Sequence, residues 1–164
     1  MEEAFRIARR HGVTTLLNPA PARSLRPELW PLIDVLTPNL SEARALTGLP
    51  EEGFNEARAA SVLRSRGIGT VVITLEAEGA WIEDAAGGRR VPGHRVEVVD
   101  STGAGDAFTG CLAVELGSGR SIDDAVARAN RAGAFCVTRM GVVPGLGGPE
   151  DLASIGQWPV PEER

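Results

Sequence analysis

The chain has 164 residues, of which 43% are hydrophobic, and this is enough apolar material for one sizeable core. Its formal net charge of −5, with arginines scattered along the sequence, excludes the basic face typical of nucleic-acid-binding proteins. No apolar run approaches the roughly 20 residues of a membrane helix, and the N-terminus lacks a signal-peptide pattern. We therefore expect a cytoplasmic protein with neither a nucleic-acid partner nor a membrane partner.

The sequence contains no lysine, and all 17 basic residues are arginine. A P-loop enzyme is therefore excluded, because that loop needs a Gly-Lys-Ser/Thr string. The two cysteines, Cys111 and Cys136, have no second cysteine or histidine at ligand spacing. We expect both to be buried free thiols.

The first half of the chain alternates predicted helices and strands, each stopped by glycine or proline. A helix is predicted over 1–11, a strand over 13–17 and a second strand over 35–37. The next two predicted elements are helices, over 41–46 and 55–66. This alternation is typical of α/β proteins.

In the second half, residues 70–75 form an apolar run that is typical of a central parallel strand covered on both faces. A hairpin with Gly87 and Gly88 at its turn is predicted next, followed by a strand over 96–99. The sequence therefore predicts a Rossmann-like, mainly parallel sheet flanked by helices. Ligands of such sheets usually bind beyond the carboxyl ends of the strands.

Two helices are predicted after the last strand, over 104–116 and from Ser121 onwards. The second carries an apolar stripe at helical spacing, formed by Ile122, Ala125, Val126, Ala129, Ala132, Gly133, Cys136 and Val137. Residues 142–164 are rich in glycine and proline, so we expect irregular structure there and a frayed tail over 156–164.

A glycine-rich turn joins the strand predicted over 96–99 to the helix that follows it. Gly103 and Gly105 allow backbone N–H groups to approach a ligand, and a helix N-terminus attracts anions such as phosphate. Asp106 stands in the first helical turn, where a carboxylate could accept the proton of an attacking hydroxyl. The residues alone leave a second interpretation open, in which Asp106 only complements the helix dipole.

Several segments resemble the ribokinase (PfkB) family of carbohydrate kinases, in the same order as in that family. Residues 100–110, Asp-Ser-Thr-Gly-Ala-Gly-Asp-Ala-Phe-Thr-Gly, are similar to its second signature. The other similar segments are Asn-Pro-Ala-Pro-Ala at 18–22, Asn-x-x-Glu at 39–42, the strand and glycine over 72–79, and the stretch 129–141. The resemblance covers nearly the whole chain and corresponds to the C-terminal, nucleotide-binding half of the family, over 1–155.

The resemblance implies a role for each matching residue. Asp106 would be the catalytic base, and the N–H groups of Gly103, Ala104 and Gly105 would form the anion hole. Asn39, Thr74, Gly79 and Asn130 would contact the nucleotide, and Glu42 would hold Mg²⁺ through water. A monovalent cation such as K⁺ would be held by Asp100, Thr102, Cys136, Arg139 and Gly141. From the residues alone, Asn39 and Glu42 could instead be a helix cap pair.

The sequence departs from the family pattern in two positions and in length. Glu76 stands where the family usually has glycine, and Gly145 stands where serine is common. Family members have roughly 300 residues, and the resemblance implies that most sugar contacts lie outside this chain.

Two functional hypotheses follow from the resemblance. The first is an ATP-dependent kinase that phosphorylates a primary hydroxyl of ribose or a related sugar, completed by an N-terminal half or acting as a homo-oligomer. The second is a non-catalytic remnant or nucleotide-binding module.

Overall fold

The computed structural model describes residues 1–155, which form seven α-helices and five β-strands. The helices are α1 Glu2–Arg10, α2 Leu40–Thr47, α3 Glu56–Arg64, α4 Ala104–Gly117, α5 Ile122–Val137, α6 Val142–Gly145 and α7 Pro149–Ser154. The strands are β1 Leu16–Leu17, β2 Val35–Leu36, β3 Thr70–Thr74, β4 Ala80–Asp84 and β5 Gly87–Val91. The tail predicted over 156–164 lies outside the described residues.

The chain forms two compact units. The first contains Met1–Leu75 and Ala80–Val91, and it holds the whole sheet with α1, α2 and α3. The second contains Glu76–Gly79 and the chain from Pro92 onwards, and it holds α4 to α7.

The sheet of the first unit has the order β1-β2-β3-β4-β5. The first three strands are parallel, with Leu16 opposite Val35 and Val35 opposite Thr70. The predicted hairpin is present as β4 and β5, and it extends the sheet in antiparallel fashion. Its turn is formed by Ala85 and Ala86 and not by the glycines, because Gly87 and Gly88 pair with Asp84 and Glu83 inside β5. The expected α/β class is confirmed, and the sheet is mixed.

The centre of the sheet is β3, whose residues Val71, Val72 and Ile73 have no exposed surface. Both faces of the strand are therefore covered, as its continuous apolar run predicts. Helices α2 and α3 pack against β3, and α3 also packs against β4. The core of this unit consists of Leu17, Leu29, Trp30, Ile33, Leu36, Ala43, Leu46, Ala59, Ala60, Leu63, Ile68, Val71, Ile73 and Leu75.

The second unit is organised around the packing of α4 on α5. The predicted start of α5 at Ser121 is confirmed, because Ser121 is the N-cap and its side chain accepts a hydrogen bond from the Asp124 N–H. Most of the predicted apolar stripe of α5 is buried, namely Ala125, Val126, Ala129, Ala132 and Cys136. Three residues outside the stripe, Asn130, Ala134 and Phe135, are buried as well. Both cysteines are free; Cys136 is buried and Cys111 is half-buried.

Three further sequence predictions were wrong in detail. Residues 96–99 form no strand, since the N–H of Val99 bonds to the Val137 carbonyl and Val98 and Val99 are largely exposed. The strand predicted over 13–17 is paired only at Leu16–Leu17. Where irregular structure was expected after 142, the described part contains α6 and α7. The first two errors have one cause, since a β-branched sequence forms a strand only where another strand pairs with it.

Across residues 1–155, no helix is both long enough and apolar enough to cross a bilayer.

The buried packing of the first unit leads to a prediction about Leu63, which has no exposed surface and belongs to the same core as Trp30. We expect Leu63→Ala to lower the free energy of unfolding by about 2–5 kcal/mol, because it leaves a cavity in a close-packed core. Urea titration followed by tryptophan fluorescence measures the change. The matched control is Leu40→Ala, at a residue that is 38% exposed, with an expected change within about 0.5 kcal/mol. Equal losses in the two variants would contradict the prediction.

Candidate functional site

The glycine-rich turn begins α4 without a side-chain cap. Its N-cap residue, Gly103, has φ of 85°, in the left-handed region that favours glycine, and no described side chain caps the helix. The Ala104 N–H makes only a long contact of 3.4 Å to the Ser101 carbonyl. The N-terminus of α4 therefore retains N–H groups available to an anion.

Gly105 has no neighbour that explains why glycine stands there. A Cβ atom built on it would meet no other heavy atom of residues 1–155 within 4 Å. A Cβ on Gly103, in contrast, would lie 3.0 Å from the Cγ1 atom of Val142. Packing and φ account for Gly103, whereas neither accounts for Gly105.

Asp106 lies in the first turn of α4 and is exposed. It borders a cavity of about 520 Å³ within the second unit, between α4, α5 and the segment that contains α7. This volume lies in the range of about 300–1,000 Å³ that is typical of small-molecule sites. The carboxylate of Asp106 is therefore accessible beside a helix N-terminus that attracts anions.

The carboxylate of Asp100 ties the turn to the loop after α5. Its Oδ1 accepts a hydrogen bond from the Thr102 N–H at 2.9 Å, and its Oδ2 accepts one from the Gly141 N–H at 2.9 Å. The Thr102 side chain lowers the pKa of the Asp100 carboxyl, and the N–H groups of Thr102 and Gly141 lower it further. Asp100 is thus held as a carboxylate.

The residues predicted to hold a monovalent cation form one hydrogen-bonded cluster. Beyond the two bonds to Asp100, the Cys136 Sγ donates to the Thr102 carbonyl at 3.5 Å, and the Arg139 N–H donates to the Cys136 carbonyl at 3.2 Å. Burial raises the pKa of the Cys136 thiol, and the charges of Asp100 and Asp106 raise it further. The cluster therefore offers one carboxylate and backbone carbonyls, which are oxygen donors of the kind that K⁺ accepts.

Three of the predicted nucleotide and magnesium residues lie in the first unit, at the carboxyl ends of β2 and β3. The Asn39 side chain accepts from the Glu42 N–H at 2.8 Å, and the Glu42 Oε2 accepts from the Asn39 N–H at 2.9 Å. The two hydrogen bonds form a capping box, which confirms the interpretation of Asn39 and Glu42 as a helix cap pair. Asn39 also pairs with Thr74 through an isolated parallel bridge, which places Thr74 beside it.

The other two predicted nucleotide residues, Gly79 and Asn130, belong to the second unit and both lie beside residues 92–93. The buried side chain of Asn130 donates from Nδ2 to the Pro92 carbonyl at 3.1 Å. A Cβ on Gly93 would lie 2.5 Å from the Gly79 nitrogen and 2.6 Å from the Ala77 carbonyl oxygen. Sequence reasoning missed Gly93, although the Pro-Gly pair at 92–93 marks a turn.

Both departures from the family pattern have structural correlates. Glu76 is the only described residue other than glycine with a positive φ, at 53°, which is the conformation that glycine adopts most easily. A Cβ on Gly145 would lie 2.8 Å from Cys136 Sγ and 3.1 Å from the Cys136 carbonyl oxygen. A serine at 145 would therefore crowd Cys136.

Within the described residues, no group of three or more His, Cys, Asp and Glu side chains could hold a metal ion.

Comparisons with known proteins agree on one family. A family profile described as pfkB family carbohydrate kinase matches residues 1–146. The ribokinase of Haemophilus influenzae is 42% identical over 142 residues, which cover 86% of this chain and 46% of that protein.

Solved structures give the same result for the fold. Arabidopsis thaliana ribokinase complexed with ribose and ATP has a TM-score of 0.83 and 27% identity, covering 91% of this chain and 49% of that one. A double mutant of Vibrio cholerae O395 fructokinase, bound to fructose, ADP and a potassium ion, has a TM-score of 0.79 and 28% identity. That match covers 93% of this chain and 53% of the fructokinase. The chain therefore spans about half the length of the proteins it matches.

The bonds to Asp100 lead to a prediction about its titration. We expect its carboxyl to titrate below the ordinary aspartate pKa of about 3.9, as measured by the ¹³C chemical shift of the carboxyl carbon. A depressed pKa in the folded state means that these bonds contribute stability above the ordinary pKa and lose it as the pH falls through the folded pKa.

Thr102→Val should raise the pKa of Asp100 towards its ordinary value, because the Thr102 side chain is the largest cause of the shift. Thr47→Val, in the first unit, is the control and should leave the titration of Asp100 unchanged. An Asp100 that titrates at the ordinary pKa in the unsubstituted chain would contradict the geometry.

Proposed function

The chain belongs to the pfkB family of carbohydrate kinases, and we propose that it supplies the phosphoryl-transfer half of an ATP-dependent kinase for ribose or a related sugar. Because it spans about half of its relatives, the proposal includes a complementary half that supplies the rest of the fold. That half would bring most of the contacts to the sugar.

The observation that carries the proposal is the uncapped N-terminus of α4 with an exposed carboxylate in its first turn. Phosphoryl transfer needs donors for the charge on the transferring group and a base for the attacking hydroxyl. The N–H groups of Gly103, Ala104 and Gly105 are assigned to the first task, and Asp106 is assigned to the second. Asp106 accepts the hydroxyl proton as the sugar oxygen forms a bond to the γ-phosphorus of ATP. The bond from that phosphorus to the bridging oxygen breaks, and the oxygen leaves as part of ADP.

Asn39, Glu42 and Thr74 are assigned to the phosphates of the nucleotide, and Gly79 and Asn130 to its adenosine part. Glu42 uses Oε2 in the capping box, and its other carboxylate oxygen is assigned to a water molecule of the magnesium ion. Bound Mg²⁺ would neutralise charge on the phosphates. The capping box then has a second consequence, since it fixes the orientation of Glu42 before the nucleotide binds.

A potassium ion is assigned to the cluster around Asp100, with oxygens of Thr102, Cys136, Arg139 and Gly141. The support is the donor set of the cluster together with the potassium ion in the fructokinase of V. cholerae. The cluster adjoins the glycine turn through Thr102, so a cation there would add positive charge close to the anion hole.

Ribose is the proposed substrate on two grounds. The Asn-Pro-Ala-Pro-Ala string at 18–22 resembles the ribokinase form of that segment. The ribokinases of H. influenzae and A. thaliana are among its relatives, and the latter structure contains ribose and ATP.

The first experiment is a calorimetric titration of the 164-residue chain with a non-hydrolysable ATP analogue and Mg²⁺, followed by a ribose phosphorylation assay on the same sample. We expect binding without turnover, because the nucleotide residues are present while the complementary half is not. Binding with turnover would contradict the need for a complement. No binding by a folded sample would contradict the nucleotide site and favour the remnant hypothesis.

The second experiment tests the base. The chain is coexpressed with the part of H. influenzae ribokinase that lies outside the 142-residue match, and turnover with ATP and ribose is measured. Asp106→Asn should lower kcat by about 10²–10⁴-fold, the contribution of a general base. Its affinity for the ATP analogue should stay within a few-fold, since a base acts in the transition state.

The matched control for Asp106→Asn is Asp123→Asn, which changes a carboxylate in the first turn of α5. We expect this control to leave kcat unchanged. Equal turnover by the Asp106→Asn and unsubstituted chains would refute the assignment.

A further inference from the structure

Arg66 lies in the segment between α3 and β3 and bonds to the last turn of α2. Its Nη1 donates to the Leu46 carbonyl at 2.8 Å, and its Nη2 donates to the Thr47 carbonyl at 3.4 Å. The last carbonyls of a helix have no partner within the helix, and a positive charge at this end is attracted to the helix dipole. The guanidinium of Arg66 therefore stabilises the C-terminus of α2 in two ways.

The guanidinium of Arg66 is held over the ring of Trp30. Its Cζ lies 4.9 Å from the ring centroid, a distance at which the face of an indole attracts a cation. Trp30 is only 7% exposed and belongs to the core of the first unit. The backbone after Arg66 lies against the same region, since a Cβ on Gly67 would be 3.3 Å from the Pro31 Cβ. Arg66 therefore joins α2 to a buried part of the unit.

Helix α2 is short, and the carbonyls that Arg66 binds lie close to the turn that carries Glu42. The helix has eight residues, of which Ala43 and Leu46 are buried. Glu42 precedes Leu46 by four residues, which is one helical turn, or about 6 Å along the axis. Short helices depend on tertiary contacts for their stability. A contact that fixes the last turn of α2 therefore also fixes the turn of Glu42.

We propose that Arg66 is a positioning residue for the magnesium-bound nucleotide. It holds α2 against Trp30 and so determines where Glu42 presents its second carboxylate oxygen, the one that the capping box leaves for a water molecule of Mg²⁺. In this role Arg66 itself contacts neither the nucleotide nor the metal. The inference rests on the proposed function of Glu42 and adds to it a residue of another segment, which acts on Glu42 through the helix.

The test measures how much Mg²⁺ strengthens nucleotide binding to the full 164-residue chain. The affinity for the non-hydrolysable ATP analogue is determined by calorimetry with Mg²⁺ and again with EDTA, and the ratio of the two affinities is the magnesium enhancement. We expect Arg66→Gln to lower this enhancement by about 3–10-fold, the size of a coupling carried through neighbouring residues. The affinity in EDTA should stay the same, because Glu42 acts through the metal.

The matched control is Arg44→Gln, which removes an arginine from α2 itself. Arg44 donates to Glu51 at 3.1 Å, and the Glu51 side chain is 84% exposed, so this pair does not join α2 to the core. We expect Arg44→Gln to keep the full magnesium enhancement. A loss of stability alone would reduce the folded fraction equally in both titrations and would leave their ratio unchanged. The enhancement therefore separates positioning from a purely structural role.

Arg66→Lys tests which property of the side chain matters. Lysine keeps the charge, but it lacks the planar fork that reaches two carbonyls. Its magnesium enhancement should therefore lie between those of the unsubstituted chain and Arg66→Gln. If Arg66→Gln does not fold, Arg66→Lys replaces it, and an enhancement equal to that of the unsubstituted chain would then overturn the proposal.

Amide hydrogen exchange tests the positioning without a nucleotide. The Glu42 N–H donates to the Asn39 Oδ1 at 2.8 Å, and the Arg58 N–H makes the equivalent bond to the Asn55 Oδ1 at 2.8 Å at the start of α3. In Arg66→Gln, exchange at Glu42 should become about 3–10-fold faster while exchange at Arg58 stays the same. Equal acceleration at both amides would indicate general destabilisation and would contradict the proposal.

The titrations can overturn the proposal in three ways. These are an unchanged magnesium enhancement in a folded Arg66→Gln chain, an equal loss in Arg44→Gln, and an unsubstituted chain that binds the analogue equally well with and without Mg²⁺. If the unsubstituted chain does not bind the analogue at all, the proposed nucleotide site fails, and the exchange measurement alone decides whether Arg66 positions Glu42. The two failures are therefore distinguishable.

Discussion

The second unit depends on the carboxylate of Asp100, which holds two distant pieces of chain together. Through the N–H groups of Thr102 and Gly141 it joins the start of the glycine turn to the loop that follows α5. The packing of α4 on α5 fixes the two helices, but it does not by itself fix the loops at their ends. A charged acceptor with two N–H donors does so, and such bonds are stronger than those between neutral groups. The geometry of the N-terminus of α4 follows from this arrangement.

Elements whose neighbours lie within the chain could be predicted from the sequence. The apolar stripe of α5 and the continuous apolar run of β3 both describe surfaces that the chain itself covers. Residues 96–99 carry an equally clear strand pattern but form no strand. Strand propensity describes a fit to a pleated, paired surface, so a pattern alone cannot tell whether the pairing strand is present. The antiparallel hairpin was predicted. How much of the sheet is parallel could not be predicted from the sequence, because it depends on which strands become neighbours in the fold.

The parts of the candidate site that depend on residue spacing within one segment could be predicted from the sequence. The parts that depend on packing between distant segments could not be predicted as well. The turn over 100–106 and the Asn39–Glu42 pair are local patterns, and the structure shows their geometry directly. The contact of Gly93 with Gly79 and the contact of Gly145 with Cys136 join residues that are distant in sequence. No local pattern contains such contacts, because they arise when segments approach each other in the folded unit. The same is true of the bond from Asn130 to the Pro92 carbonyl.

The backbone of Glu76 adopts a left-handed conformation, which costs an L-residue other than glycine about 1–2 kcal/mol. The Gly79 N–H bonds back to the Glu76 carbonyl at 3.1 Å, and Gly93 lies tightly against this segment. The conformation therefore persists because the surrounding chain imposes it, against the preference of the residue. A loop held in this way is already ordered before any ligand arrives. Preorganised sites lose little conformational entropy on binding, and this loop would share that property under the proposed assignment of Gly79 to the nucleotide.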